Sequence, residues 1–123
     1  MGATVFVVDD DPSIRRSLER LMRAAGHAVR TFVSTRQFLE RDDPEVPGCL
    51  VLDVRMPGQS GLDLQEMLGA AGSRIPVIFI TGHADAQMTQ QAMQAGAVGL
   101  FAKPFDGQEL LDAVERALDG GKG

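Results

Sequence analysis

One cysteine, Cys49, is all that the 123 residues contain. No internal disulfide can form, which fits a reducing compartment. Positive charge is scarce too: 12 Lys and Arg against 17 Asp and Glu leave a formal net charge of −5. That balance argues against nucleic acid or an anionic membrane as a direct partner of this stretch. No apolar run approaches the ~20 residues of a membrane span, and the first residues lack the basic-then-apolar layout of a signal peptide. Met1-Gly2 opens like a myristoylation site, but Phe6 stands where Ser or Thr is required. The cytoplasm is the expected location. Neither GxxxxGK[ST] nor GxGxxG occurs, so the standard nucleotide cradles are missing.

What remains is a chain of ordinary globular composition and single-domain length, in which short apolar runs alternate with longer amphipathic ones. ATVFVV (3–8), AVRTF (28–32), CLVL (49–52), PVIFI (76–80) and VGLFA (98–102) read as strands. Asp11-Pro12 opens a helix carrying Ile14, Leu18, Leu21, Met22 and Ala25 at helical spacing, with Gly26 as its stop. Ser34 caps a short helix around Thr35–Glu40. RMPGQSG (55–61) reads as a loop and 62–68 as a helix. Asp85 caps a helix through Ala95, with Met88, Ala92 and Ala95 as a thin apolar stripe. Leu110, Leu111, Val114 and Leu118 mark the last helix. Residues 1–119 form one domain, and 120–123 are a tail or the start of a linker.

Five βα units call for a doubly wound parallel sheet, and strand order 2-1-3-4-5 is the common solution, a flavodoxin-like α/β fold. Ligands in such sheets sit beyond the carboxyl ends of the strands, where strand order reverses. Asp9, Asp10 and Asp53 follow strands one and three, and Thr81 and Lys103 end strands four and five. Adjacent carboxylates repel one another, so this cluster asks for a cation. Oxygen ligands around a wet pocket suit Mg²⁺, and Lys103 can pair with Asp53 or with a phosphate. Thr81 and the Gly82 N–H add donors. Asp11 serves the first helix instead, as its cap. The chain writes its basic residues as Arg everywhere except Lys103 and Lys122, which adds weight to Lys103.

The segments VVDDDPSIR, LVLDVRMPGQSGLDL, PVIFITGHAD and AGAVGLFAKPF together resemble the response-regulator receiver domain of two-component signalling. The wording ITGHAD and AMQAGAVG is closest to the FixJ-type branch, whose members carry a NarL/LuxR-type helix-turn-helix output domain. The resemblance implies that Asp53 accepts a phosphoryl group from a histidine kinase. It implies Mg²⁺ held by Asp10, Asp53 and the backbone carbonyl of Arg55, with Asp9 acting through water. Thr81 and Lys103 would hold the phosphoryl oxygens, and the Lys103–Pro104 bond would be cis. A phosphorylation-promoted homodimer through strand five and its flanking helices follows from the same resemblance, as does DNA contact only through a separate output domain.

One position departs from the family. Receivers usually carry Tyr or Phe three residues before the lysine, and here Leu100 stands there with Phe101 beside it. Either the output is signalled without an aromatic flip, the reading we favour, or Phe101 substitutes through a local bulge.

Other readings stay open. A pseudo-receiver would share the fold and act as an adaptor without phosphotransfer. A small enzyme is a further option, but aspartyl phosphohydrolases want DxD, and Asp53-Val54-Arg55 lacks the second acid. Cys49 reads as a small buried hydrophobe, and His27 and His83 as solvated polar residues. Arg16, Arg20 and Arg23 lie on one side of the first helix, as a solvated face or a kinase contact.

Overall fold

The computed structural model describes residues 3–42, 46–54, 60–82 and 85–120. Strands β1 (Thr4–Val8), β2 (Ala28–Phe32), β3 (Gly48–Asp53), β4 (Val77–Thr81) and β5 (Gly99–Ala102) form one sheet in the order β2-β1-β3-β4-β5. Every pairing is parallel. Helices α1 (Pro12–Ala24), α2 (Thr35–Leu39), α3 (Gly61–Ala70), α4 (Ala86–Gln94) and α5 (Gly107–Gly120) alternate with the strands. This is the flavodoxin-like topology that the alternation of apolar runs predicts.

Side chains along a strand alternate between the two faces of a sheet, and here both faces are covered. Val5, Val7, Cys49, Val51, Ile78 and Ile80 pack with Leu18 and Met22 of α1 and with Leu110 and Val114 of α5. The alternate residues, Phe6, Val8, Leu50, Leu52 and Phe79, pack with Phe38 of α2, Leu64 of α3, and Met88 and Ala92 of α4. Each large apolar side chain fully buried in these layers contributes roughly 1.5–3 kcal/mol. Double burial explains why β1, β3 and β4 are continuous apolar runs rather than alternating ones. Cys49 belongs to the first layer, and burial pushes its thiol up to about 12. It is an inert core residue, as its setting in the sequence predicts.

Local chemistry starts and stops the helices. The Asp11 side chain accepts from the Ser13 N–H at 2.8 Å, and Pro12 occupies the first turn. Ser34 and Asp85 cap α2 and α4 by the same device. Gly26 and Gly96, at φ 88° and 101°, take the left-handed turns that end α1 and α4.

Three details differ from the sequence reading. Gly61, assigned above to a loop, is the first residue of α3. Ser60 forms a reciprocal capping box with Asp63 that draws the helix start forward. Ala95 is exposed and only caps α4, so the buried stripe of that helix is just Met88 and Ala92. His27 is not a freely solvated side chain: its ring is 19 % exposed and lies 3.2 Å from a carboxylate oxygen of Glu115 on α5. No described helix is long and apolar enough to cross a membrane.

Candidate functional site

Strand register decides which residues meet. Val8 pairs with Leu52, so the next residues, Asp9 and Asp53, leave β1 and β3 at the same level. Asp53 in turn pairs with Ile80, next to Thr81, and Thr81 pairs with Ala102, next to Lys103. The Lys103 N–H donates to the Thr81 carbonyl at 2.7 Å, which extends the ladder one step. The Lys103–Pro104 peptide is cis.

The side chains converge as the register demands. Carboxylate oxygens of Asp9, Asp10 and Asp53 lie within 4.8 Å of one another. The Lys103 ammonium donates to Asp9 Oδ2 and to Asp53 Oδ2, both at 3.1 Å. Asp9 is fully buried and Asp53 is 5 % exposed, while Asp10 opens to solvent. Thr81 is buried at the end of β4. Of the five side chains singled out from sequence, Lys103 thus joins Asp9 and Asp53, Asp10 lies beside them open to solvent, and Thr81 is buried at the end of the neighbouring strand. Arg55 and His83 lie outside the described residues.

Electrostatics follow from this packing. Burial is the main influence on Asp9 and raises its carboxyl pKa, against the lowering effects of the Asp11 N–H and Lys103. Asp53, a second carboxylate close by, pushes in the same direction as burial. Burial alone would lower the Lys103 pKa, but its hydrogen bonds and charge attraction to Asp9 and Asp53 outweigh that and raise it. Lys103 is therefore firmly cationic. Three carboxylates facing one ammonium leave the cluster anionic, with all-oxygen donors and an open side for water. Such a set suits a hard divalent cation of the Mg²⁺ kind.

The surroundings hold the acids in place. Asp9 Oδ1 accepts from the Asp11 N–H at 2.9 Å, and the Asp9 carbonyl accepts from Arg15 Nη1 at 2.7 Å. The sequence reading missed Arg15, although an arginine in the first turn of the following helix was a visible signal. Gly61 supports the other strand end. Its N–H donates to the Val54 carbonyl at 2.8 Å. A Cβ at this position would stand 2.5 Å from the Asp53 carbonyl oxygen and 3.1 Å from Leu52 and Phe79. Gly61→Ala should therefore cost about 1–3 kcal/mol of stability, as overpacking typically does. Urea denaturation measures this, and an unchanged midpoint would show that the contact is not tight.

Leu100 and Phe101 settle on opposite faces, Leu100 against the α2–α4 layer and Phe101 against the α1–α5 layer. Pairing of β5 with β4 advances one residue at a time from Gly99 to Ala102. No bulge turns Phe101 into the place of Leu100.

Comparison with known proteins agrees with this geometry. The family model described as "Response regulator receiver domain" matches residues 5–115. Nodulation protein W of Bradyrhizobium diazoefficiens is 55 % identical over 117 residues, covering 95 % of this chain and 52 % of that protein. Among solved structures, the response regulator StyR matches with a TM-score of 0.92 and 52 % identity, over 99 % of this chain and 62 % of StyR. The structure titled FixJ-N matches with a TM-score of 0.87 and 42 % identity, over 97 % of this chain and 95 % of its own length. The chain spans about half the length of the curated relatives it matches. With a family model that spans most of its length and relatives 42–55 % identical over nearly all of it, the chain belongs to the response-regulator receiver domains of two-component systems.

Proposed function

We propose that the domain accepts a phosphoryl group from a phosphohistidine of a histidine kinase onto a carboxylate oxygen of Asp53. The P–N bond to imidazole breaks as the P–O bond to Asp53 forms. The observation that carries this reading is the Lys103 ammonium placed 3.1 Å from Asp53 Oδ2, beside two further carboxylates. Asp10, Asp53 and the Arg55 carbonyl would hold Mg²⁺, with Asp9 acting through water; the oxygen-only donor set fits that ion. When bound, Mg²⁺ neutralises charge on the phosphoryl oxygens.

The chain's own residues do the rest. Lys103 is shared between Asp9 and Asp53 and can follow the charge as it moves onto the phosphoryl group. Thr81, at the end of the neighbouring strand, would contribute a hydroxyl donor to the same oxygens. Drawing these two residues toward the phosphoryl group would shift the population of an output surface near residues 82–105. The domain is thus a switch that modifies itself and slowly hydrolyses its own acyl phosphate, not an enzyme for an external substrate.

The relatives' printed descriptions, among them a transcriptional regulatory protein FixJ, support a DNA-binding output on a part of the polypeptide beyond this domain. Phosphorylation-promoted pairing of two copies through β5 and its flanking helices belongs to the same reading, and exposed Met93 on α4 supports it. A small phosphodonor with Mg²⁺ should add one phosphoryl group by intact mass, and chelation should prevent it. No gain would favour an adaptor that works without phosphorylation, and a gain indifferent to chelation would take Mg²⁺ out of the reaction.

A further inference from the structure

A groove of about 590 Å³ opens at the opposite end of the sheet from the aspartates, between the C-terminal ends of α3 and α4 and the later turns of α5. Its volume falls within the roughly 300–1,000 Å³ of small-molecule sites. Leu68, Ile75, Val77 and Val98 supply apolar wall, and Val98 is 51 % exposed although it is large and hydrophobic.

Two features mark the groove as more than a packing gap. Gln65 lines it and is 7 % exposed, yet its amide Oε1 is buried with no hydrogen-bond partner among the described residues. Buried acceptors are rarely left this way, and each costs about 1–3 kcal/mol. Arg74 and Arg116 stand at the same groove, both exposed. Neither forms an ion pair among the described residues, in a chain whose net charge is −5. An uncompensated pair of guanidinium groups is a ready receptor for a carboxylate.

We infer that this groove binds a small organic anion with an apolar body, its carboxylate taken by Arg74 and Arg116, while the Gln65 amide turns toward the groove so that its Oε1 accepts an N–H or O–H of the ligand. The two arginines favour an anion and repel cations, the apolar wall disfavours sugars, and the glutamine selects for a donor. None of these residues belongs to the aspartate site, so the inference stands apart from the phosphorylation reading.

Three probes of similar shape separate the contributions in an amide-resolved NMR titration of the whole chain. Indole-3-acetate carries ring, carboxylate and N–H; naphthalene-1-acetate lacks the N–H; 3-methylindole lacks the carboxylate. Indole-3-acetate should shift amides within 65–77, 95–98 and 113–117, the segments that form the groove. Its affinity should exceed that of either other probe by about fivefold or more, as expected for one hydrogen bond or ion pair. Arg74→Ala with Arg116→Ala should weaken indole-3-acetate about tenfold and leave 3-methylindole unchanged. Gln65→Leu should erase the preference for indole-3-acetate over naphthalene-1-acetate and raise Tm, because the orphaned acceptor is gone. That opposite movement of affinity and Tm is what a purely structural glutamine would not give. Equal affinity for all three probes, shifts spread over the whole chain, or binding that survives the double arginine variant would overturn the inference.

Discussion

Asp53→Asn should take up no phosphoryl group from a small donor with Mg²⁺, while keeping the fold. Asparagine has nearly the same shape as aspartate and can still accept from Lys103, so the packing at the end of β3 has little reason to change. What disappears is the carboxylate oxygen that, in the proposed transfer, attacks phosphorus. The neighbouring acids cannot replace it. Both oxygens of Asp9 are engaged, one by the Asp11 N–H and the other by Lys103, and the side chain is fully buried. Asp10 is exposed, and neither of the two Lys103 bonds reaches it. A phosphoryl group there would lack the ammonium that offsets its charge. Intact mass after incubation reads the result directly. A gain equal to that of the unsubstituted chain would place the acceptor elsewhere, and a circular dichroism spectrum guards against an unfolded variant.

Much of this site was legible because its pieces are local signals. Apolar runs locate the strands, and a carboxylate or hydroxyl that ends such a run lands at the sheet edge by topology alone. Asp53, Thr81 and Lys103 needed no more than that. Caps were equally readable, since Asp11, Ser34 and Asp85 act on N–H groups two or three residues away. The capping box of Ser60 and Asp63 was just as local, but Pro and Gly in the preceding segment made the whole stretch look like loop.

Other features depend on residues far apart in the chain. The bond from Lys103 to Asp9 spans 94 positions, and nothing in either neighbourhood announces that the lysine divides itself between two acids. His27 and Glu115 meet only because α1 and α5 share a face of the sheet. The groove beneath β4 is assembled from helix residues and the turns that lead from α3 into β4 and from α4 into β5, which carry no periodicity to betray a common wall. Sequence reading finds what one element needs, and misses what several elements make together.

The shared lysine has a measurable consequence. Replacing it with methionine keeps the bulk of the stem and removes the charge, leaving Asp9 and Asp53 to repel across a mostly buried gap. Lys103→Met should cost about 2–3 kcal/mol without Mg²⁺, less than the roughly 3–5 kcal/mol for breaking a fully buried pair. Two things limit the loss. The lysine side chain is 21 % exposed, so part of its charge was already screened. Asp9 already has a raised pKa, so it can take a proton once its ammonium partner is gone. Removing a competing cation should also tighten Mg²⁺ binding about tenfold, and added Mg²⁺ should restore more stability to the variant than to the unsubstituted chain. Phosphoryl uptake should nevertheless slow by about 10²-fold, because the charge growing on the phosphoryl oxygens has lost its preorganised donor. Tighter metal binding with slower chemistry separates a lysine that serves the transferring group from one that merely neutralises two acids. Isothermal titration with Mg²⁺ and timed mass spectra measure the two quantities. If both fall together, or if uptake is unimpaired, Lys103 acts only in holding the strand ends together.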